Sequence, residues 1–364
     1  MTNNSEIKYF EGFNSPNQMK LQSGQELGPI TIAYETFGKL NDSKDNAVLV
    51  CHALTGDAHV SGENGWWDFL IGPNKAIDTN KNFVICSNAI GGCKGSTGPS
   101  SKDPKTGKPY GLNFPVITIG DMVQAQKALI DELGIAQLKM VLGGSMGGMQ
   151  AMEWSIMYPK RVKACTVVAS ASKLSPQALA FDAVSRNAIT SDEKWAAGNY
   201  AHDEPPEKGL AIARMIGHIT YLSNESMNKK FGRKLQKKED YSYDFSTDFQ
   251  IESYLKYQGD KFVNRFDANS YLYISKAVDY FDLTKKYGSV EKAFKNTNCK
   301  FLVIAISTDW LFSPKQSKDI VKALLKQSKE VTYAQIDSPF GHDAFLIEST
   351  QMTSLVQNFL NQVK

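Results

Sequence analysis

The stretch Val141-Leu142-Gly143-Gly144-Ser145-Met146-Gly147-Gly148-Met149-Gln150 constrains the fold more than any other part of the chain. An apolar run at residues 139–142 leads into it, and a helical pattern over 149–158 leads out. A serine held between a strand end and a helix start must take an uncommon backbone conformation. Its neighbours must be small, because strand and helix approach closely there. Gly143, Ser145 and Gly147 satisfy G-x-S-x-G, which makes Ser145 a candidate nucleophile. The helix start behind it offers N–H groups and a favourable dipole to a developing oxyanion. The competing reading is a glycine-rich turn whose serine caps the helix. The same glycines satisfy neither G-x-G-x-x-G nor G-x-x-x-x-G-K-[ST], so no dinucleotide or phosphate loop is expected.

The rest of the chain alternates in a similar way. Residues 47–51, 83–87, 139–142, 163–169 and 301–306 read as short buried strands, and 331–336 with a C-terminal helix completes the alternation. Such strands predict a mostly parallel sheet covered by helices on both faces, an α/β fold. Helices are expected over 119–134, with Gly134 as the stop, around 317–325, and from about 349. Residues 172–295 interrupt this pattern with weak strand signals and helical stretches at 209–222 and 270–281. The expected organisation is therefore a core of residues 1–171 and 296–364, with a helical lid of 172–295 inserted before the late strands. The charged run from Lys229 to Asp240 reads as a solvated face or mobile loop rather than a binding patch.

A serine hydroxyl needs a base, and the chain has five histidines: His52, His59, His202, His218 and His342. In the α/β-hydrolase arrangement the chain order is serine, acid, histidine, with the histidine in a loop after the last strand. His342, in Ser338-Pro339-Phe340-Gly341-His342-Asp343, meets both conditions; His202 and His218 fall in the insertion. Asp309 comes directly off the 301–306 run and occupies the position of the acid, although capping the helix near Pro314 would explain it equally well. After the 47–51 run, His52-Ala53-Leu54-Thr55-Gly56-Asp57 stands where the second oxyanion donor belongs. By position, the Leu54 and Met146 N–H groups are nominated, with His52 as a loop-orienting residue.

The chain's 41 Lys+Arg against 38 Asp+Glu leave only +3, too little to imply a nucleic-acid partner. No run of 18 apolar residues suggests a membrane span. Residues 1–6 are polar, unlike a secretion signal, and the five cysteines contain no C-x-x-C pair. A reducing cytoplasm without disulfides or a zinc knuckle is the expectation.

With these residues in place, the chain resembles the homoserine O-acetyltransferases of the α/β-hydrolase fold. The resemblance spans nearly the whole sequence. It is carried by residues 52–59 (His-Ala-Leu-Thr-Gly-Asp-Ala-His), the glycine-rich 91–101, Phe114-Pro115, and Thr118-Ile119-Gly120-Asp121-Met122-Val123. The elbow and the late Gly341-His342-Asp343-Ala344-Phe345-Leu346 carry it too, and Gly120 is where the chain departs from the pattern. What the resemblance implies is a triad of Ser145, Asp309 and His342, with Arg214 and Asp343 as substrate-binding residues. A guanidinium suits the carboxylate of zwitterionic homoserine and an aspartate suits its ammonium. Taken alone, Arg214 would read as a surface cation. The resemblance further implies acetyl-CoA as cosubstrate with no bound cofactor or metal, a role in methionine biosynthesis, and a homodimer formed through the lid.

Two rival functions share the motif. A serine esterase or thioesterase would hand the acyl group to water, and only an amino-acid acceptor needs Arg214 with Asp343. A hydrolase-fold receptor would need no base. Succinyl against acetyl as donor and serine against homoserine as acceptor stay open, as does whether 91–101 lines the acyl-CoA tunnel or buttresses the elbow.

Overall fold

In a computed structural model of the chain, residues 6–201 and 203–363 are described; His202 and the polar residues 1–5 lie outside them. One sheet contains β1 (Lys8–Gly12), β2 (Ile30–Phe37), β3 (Ala47–Cys51), β4 (Phe83–Ser87), β5 (Met140–Gly144), β6 (Ala164–Val168), β7 (Lys300–Ile306) and β8 (Val331–Ile336). Its strand order is β1-β2-β4-β3-β5-β6-β7-β8. The β1–β2 and β2–β4 pairs are antiparallel and the rest parallel.

Every residue of β3, β5 and β6 is buried, as the continuous apolar runs require. Alternate side chains serve opposite cores. Leu49, Cys51, Val141 and Val167 face one side with Met122 and Leu129 of α1 (Ile119–Glu132) and Met149 and Met152 of α2 (Met146–Met157). Val48, Val50, Leu142 and Val168 face the other, with Trp67, Phe345 and Phe359. The predicted runs at 47–51, 83–87, 301–306 and 331–336 are strands to within a residue. Gly134, at φ +69, ends α1 as expected.

Strands β1 and β2 are not evident in the sequence. In β2 the apolar side chains are broken by Thr31, Glu35 and Thr36, although only two of its positions are less than buried. Their polar groups are satisfied by partners far along the chain: Thr31 Oγ1 donates to Glu11, and Glu35 accepts from His59 Nδ1 at 3.1 Å.

Between β6 and β7 the chain runs through α3 (Pro176–Thr190), α4 (Glu207–Tyr221), α5 (Asn224–Lys230), α6 (Gln250–Val263), α7 (Ala268–Asp279), α8 (Leu283–Tyr287) and α9 (Val290–Ala293). Their buried side chains, among them Leu210, Ala213, Phe262 and Ile274, join the same apolar cluster as Met146 and Met149. The insertion therefore packs directly over the carboxyl ends of the central strands. The run 229–240 is mostly exposed, and Lys238 within it pairs with Asp248 at 2.7 Å. The chain closes with α10 (Pro314–Lys326), α11 (Ala344–Ile347) and α12 (Ser349–Asn361).

The glycine-rich 91–101 segment lies against β2. Ala33 N–H donates to Ser96 Oγ, Thr97 N–H donates to Thr31 O, and no residue of 91–101 lines the cavity at Ser145. It braces the sheet from the side of the antiparallel strands.

Register across the sheet places Cys51 beside Gly143, Gly143 beside Val167, and Val167 beside Val303. The loops leaving β3, β5, β7 and β8 therefore emerge together, at the edge where open α/β sheets bind ligands. A very close backbone approach lies under the elbow, where a Cβ on Gly147 would stand 2.0 Å from the Cys51 carbonyl oxygen. Gly147→Ala should therefore cost about 1–3 kcal/mol or more, since β3 must move aside. Urea unfolding would read this as a lower midpoint with unchanged slope; an unchanged midpoint would mean that β3 and α2 separate freely.

Candidate active site

Ser145 is the hinge between β5 and α2, at φ +57 and ψ −123. A serine rarely adopts that conformation, which costs on the order of 1–3 kcal/mol and persists only when its surroundings enforce it. They do so here: Ser145 N–H donates to Val168 O at 2.9 Å, and Ser145 O accepts from Gly148 N–H and from Ser170 Oγ. The hydroxyl does not cap α2, which has no side-chain cap. Instead its Oγ lies 3.0 Å from His342 Nε2.

His342 follows β8 in a short turn and is buried between the rings of Tyr221, Phe312 and Phe345, whose centroids lie 5.1–6.0 Å away. Its Nδ1 is 2.7 Å from Asp309 Oδ2. Asp309 is buried too, and its other oxygen accepts the N–H groups of Leu311 and Phe312 at 3.0 and 2.8 Å. Ser313, not Asp309, stands at the N-cap of α10. With the carboxylate at Nδ1, the proton sits there and Nε2 is free to accept from Ser145. Burial alone would depress His342. The Asp309 carboxylate, with Asp343 behind it, outweighs burial and holds the imidazole above its ordinary pKa.

The other described histidines are committed elsewhere. His52 Nδ1 bonds Ala53 O at 2.7 Å while Nε2 accepts from Ala89 N–H at 2.9 Å, the loop-orienting role expected of it. His59 lies on Glu35, and His218 Nδ1 on the Tyr254 hydroxyl.

Leu54, Ser145 and Met146 line one cavity under the insertion. Met146 opens the first turn of α2, where an N–H has no intrahelical partner. Among the described residues neither the Leu54 nor the Met146 N–H has an acceptor. Both are available to an oxygen bearing developing charge, and that arrangement can stabilise a tetrahedral acyl intermediate. The cavity wall is largely apolar, with Phe181, Ile216 and Leu311 among its side chains. Asp182 is its acidic member. Burial, then the facing Asp279, pushes its carboxyl up to about 8.

A family model described as "alpha/beta hydrolase fold" matches residues 46–349. A homoserine O-acetyltransferase from Methanosalsum zhilinae is 56% identical, the match covering 98% of this chain and 73% of the relative. This chain belongs to the homoserine O-acetyltransferase family. The crystal structure of the Bacillus anthracis homoserine O-acetyltransferase superposes with a TM-score of 0.93 at 30% identity, covering 99% of both chains. Esterase E22 superposes at 0.89, also at 30% identity, covering 98% of this chain and all of its own.

The two residues that resemblance to the homoserine O-acetyltransferases nominated for substrate are not among those lining the Ser145 cavity, and both stand on the histidine's side of the site. Asp343 follows His342 directly, and burial pushes its carboxyl up against the pull of His342 and Arg214. Arg214, on α4, sits with its guanidinium 5.7 Å from the Tyr221 ring centroid, and the Tyr221 ring lies tilted against His342 at 6.0 Å. Tyr221 and Asp182 of the cavity wall, and Arg265 just after α6, are not evident as site residues in the sequence. For Tyr221 a signal existed: Arg214, His218 and Tyr221 stand at i, i+4 and i+7 on α4, one helical face. Asp182 and Arg265 carry no local signal.

Because His342 must be neutral to accept the serine proton, acylation should fade as pH drops through its raised pKa. Acylation of Ser145 by an activated acetyl ester should thus show an acid limb above about 6.5, the ordinary histidine value. Asp309→Asn should move that limb down and slow acylation by about 10³–10⁴-fold. A wild-type limb below 6.5 would contradict the His342–Asp309 coupling.

Proposed function

We propose that this enzyme moves the acetyl group of acetyl-CoA to the side-chain hydroxyl of L-homoserine through an acetyl-Ser145 intermediate, a step of methionine biosynthesis. The observation that carries the reading is the hydrogen-bonded line Ser145–His342–Asp309, at 3.0 and 2.7 Å, beneath an insertion bearing Arg214. His342 takes the Ser145 proton as Oγ attacks the thioester carbon, and the Leu54 and Met146 N–H groups hold the oxyanion. The C–S bond then breaks and coenzyme A leaves with the proton from His342. Homoserine enters next. Its hydroxyl gives a proton to His342, attacks the acetyl-serine, and Ser145 recovers the proton. Asp309 orients the imidazole and stabilises its cationic form throughout. Arg214 is assigned to the acceptor's carboxylate and Asp343 to its ammonium. Acetyl-CoA serves as cosubstrate, and the chemistry calls for no resident cofactor or metal.

An esterase would use the same serine, and similarity to esterase E22 keeps that rival in view. Identity of 56% to a homoserine O-acetyltransferase, and the charged pair Arg214 and Asp343, favour an amino-acid acceptor. Acetyl is favoured over succinyl by the relatives, several of which are homoserine O-acetyltransferases at 55–56% identity. Residues 172–295 act as the lid in this reading. Exposed Val184 of α3, with Ile212 and Ile219 of α4, supports a homodimer formed through that lid, which analytical ultracentrifugation would test. Among the described residues no helix is long and apolar enough to cross a membrane, and a cytoplasmic location suits the proposed pathway.

Covalent transfer requires the first product to form before the acceptor reacts. Labelled coenzyme A should exchange into acetyl-CoA without homoserine, and mass spectrometry should find an acetyl adduct on the peptide containing Ser145. Both should vanish in Ser145→Ala. No exchange together with no adduct in the wild type would leave direct transfer instead. Release of acetate at the same rate with and without homoserine would favour the esterase.

A further inference from the structure

Arg265 follows α6 and points toward the same loop as Arg214. Its Nη1 donates to Thr55 O at 3.2 Å, and Arg214 Nη1 donates to Thr55 Oγ1 at 3.4 Å. Both guanidiniums lie against the Phe262 ring, 4.9 Å from its centroid for Arg214 and 5.3 Å for Arg265. Two half-buried cations thus converge on one threonine and one ring. Among the described residues neither has a carboxylate oxygen within 4.0 Å.

The surrounding charges do not resolve this. Burial, then the charge of Arg214, weakens the hold of Arg265 on its proton, and Asp57 compensates from a distance. His218, one turn beyond Arg214, is driven down to about 3 by burial and by Arg214, Lys230 and Arg265, so it stays neutral. Its Nε2 is buried without a partner among the described residues. Asp343 stands beyond salt-bridge reach. Like charges held together in a half-buried place are costly unless an anion joins them.

We infer that Arg265 and Arg214 together clamp the α-carboxylate of the acceptor amino acid. The inference rests on the acyltransferase reading above and adds a second guanidinium to it. Position selects the anion. Thr55 follows Leu54, a residue of the Ser145 cavity assigned above to the oxyanion, and the Tyr221 ring lies against both Arg214 and His342. In homoserine the hydroxyl and the carboxylate are on the order of 5 Å apart, so the acceptor's carboxylate must be held near the reacting centre. The diphosphate of coenzyme A lies a whole pantetheine arm from the thioester and would not reach. A planar fork also suits two carboxylate oxygens, and a pair of forks fixes the acceptor's orientation as well as its charge. Arg265 is thereby a binding residue of the second half-reaction alone.

The bland alternative is that Arg265 only braces the Thr55 loop and with it Leu54. The test separates these by measuring each half-reaction in wild type, Arg265→Met and Arg265→Lys. Acetylation is followed by the burst of coenzyme A, and transfer is followed with homoserine and with homoserine amide, which keeps the hydroxyl and ammonium but lacks the carboxylate charge. Arg265→Met should lower kcat/KM for homoserine by about 10- to 150-fold, as for a lost charge-assisted bond. Acetylation and use of the amide should change by less than about threefold. Arg265→Lys should recover part of the loss by keeping charge without the fork. Slowed acetylation with equal losses for both acceptors would assign Arg265 to the loop and overturn the clamp. A raised KM for acetyl-CoA with homoserine unaffected would place the anion on coenzyme A and also overturn it. Equal transfer by wild type and Arg265→Met would refute the clamp alone, whereas a wild type that is acetylated but transfers to no amino acid would refute the acyltransferase reading with it.

Discussion

The contact between backbones at the β5–α2 elbow is the constraint on which the rest depends. Glycine at 143 and 147 lets the first turn of α2 sit against the end of β3, with a would-be Cβ of Gly147 only 2.0 Å from Cys51 O. That approach holds Ser145 at φ +57 and turns its hydroxyl out of the helix toward His342. It also brings the loop after β3, carrying Leu54, beside the start of α2, carrying Met146. The candidate nucleophile and the candidate oxyanion donors are thus positioned by one packing event, and the strain at Ser145 is supported by an apolar core on both faces of the sheet.

The site then divides into two electrostatic halves. Along the catalytic line each polar group is answered: Asp309 accepts two backbone N–H groups and His342, and His342 meets both Asp309 and Ser145. This half is complete without substrate, as preorganised catalysis demands. Beneath α4 and α6 the balance is different, because Arg214 and Arg265 share Thr55 and Phe262 without a carboxylate in contact. A site that stays unbalanced until an anion arrives couples binding to electrostatic relief, which favours a charged acceptor over water. That contrast is the physical basis for separating a transferase from an esterase built on the same serine.

Much of the catalytic half was legible in the chain. Continuous apolar runs marked the central strands, and chain order picked His342 from five histidines and Asp309 from the acids after β7. Strands β1 and β2 were hidden because their polar side chains are satisfied only by residues brought in from elsewhere, such as Glu35 by His59. Arg214, on a helix of the insertion, looked by itself like a surface cation, and only the family resemblance raised it. Arg265 and Asp182 could not be found, since their neighbours across the insertion are distant in sequence.

What the sequence determined by itself was therefore local: the strand–glycine–serine–helix order, the buried runs, and the chain order of serine, acid and base. These follow from backbone sterics and hydrophobic periodicity, which act over a few residues. The tertiary structure alone decided that α4 and α6 bring two guanidiniums over the loop after β3, and that Asp182 faces Asp279 in the wall of the cavity. Charge interactions of this kind depend on distance and burial, and neither is encoded at any one position.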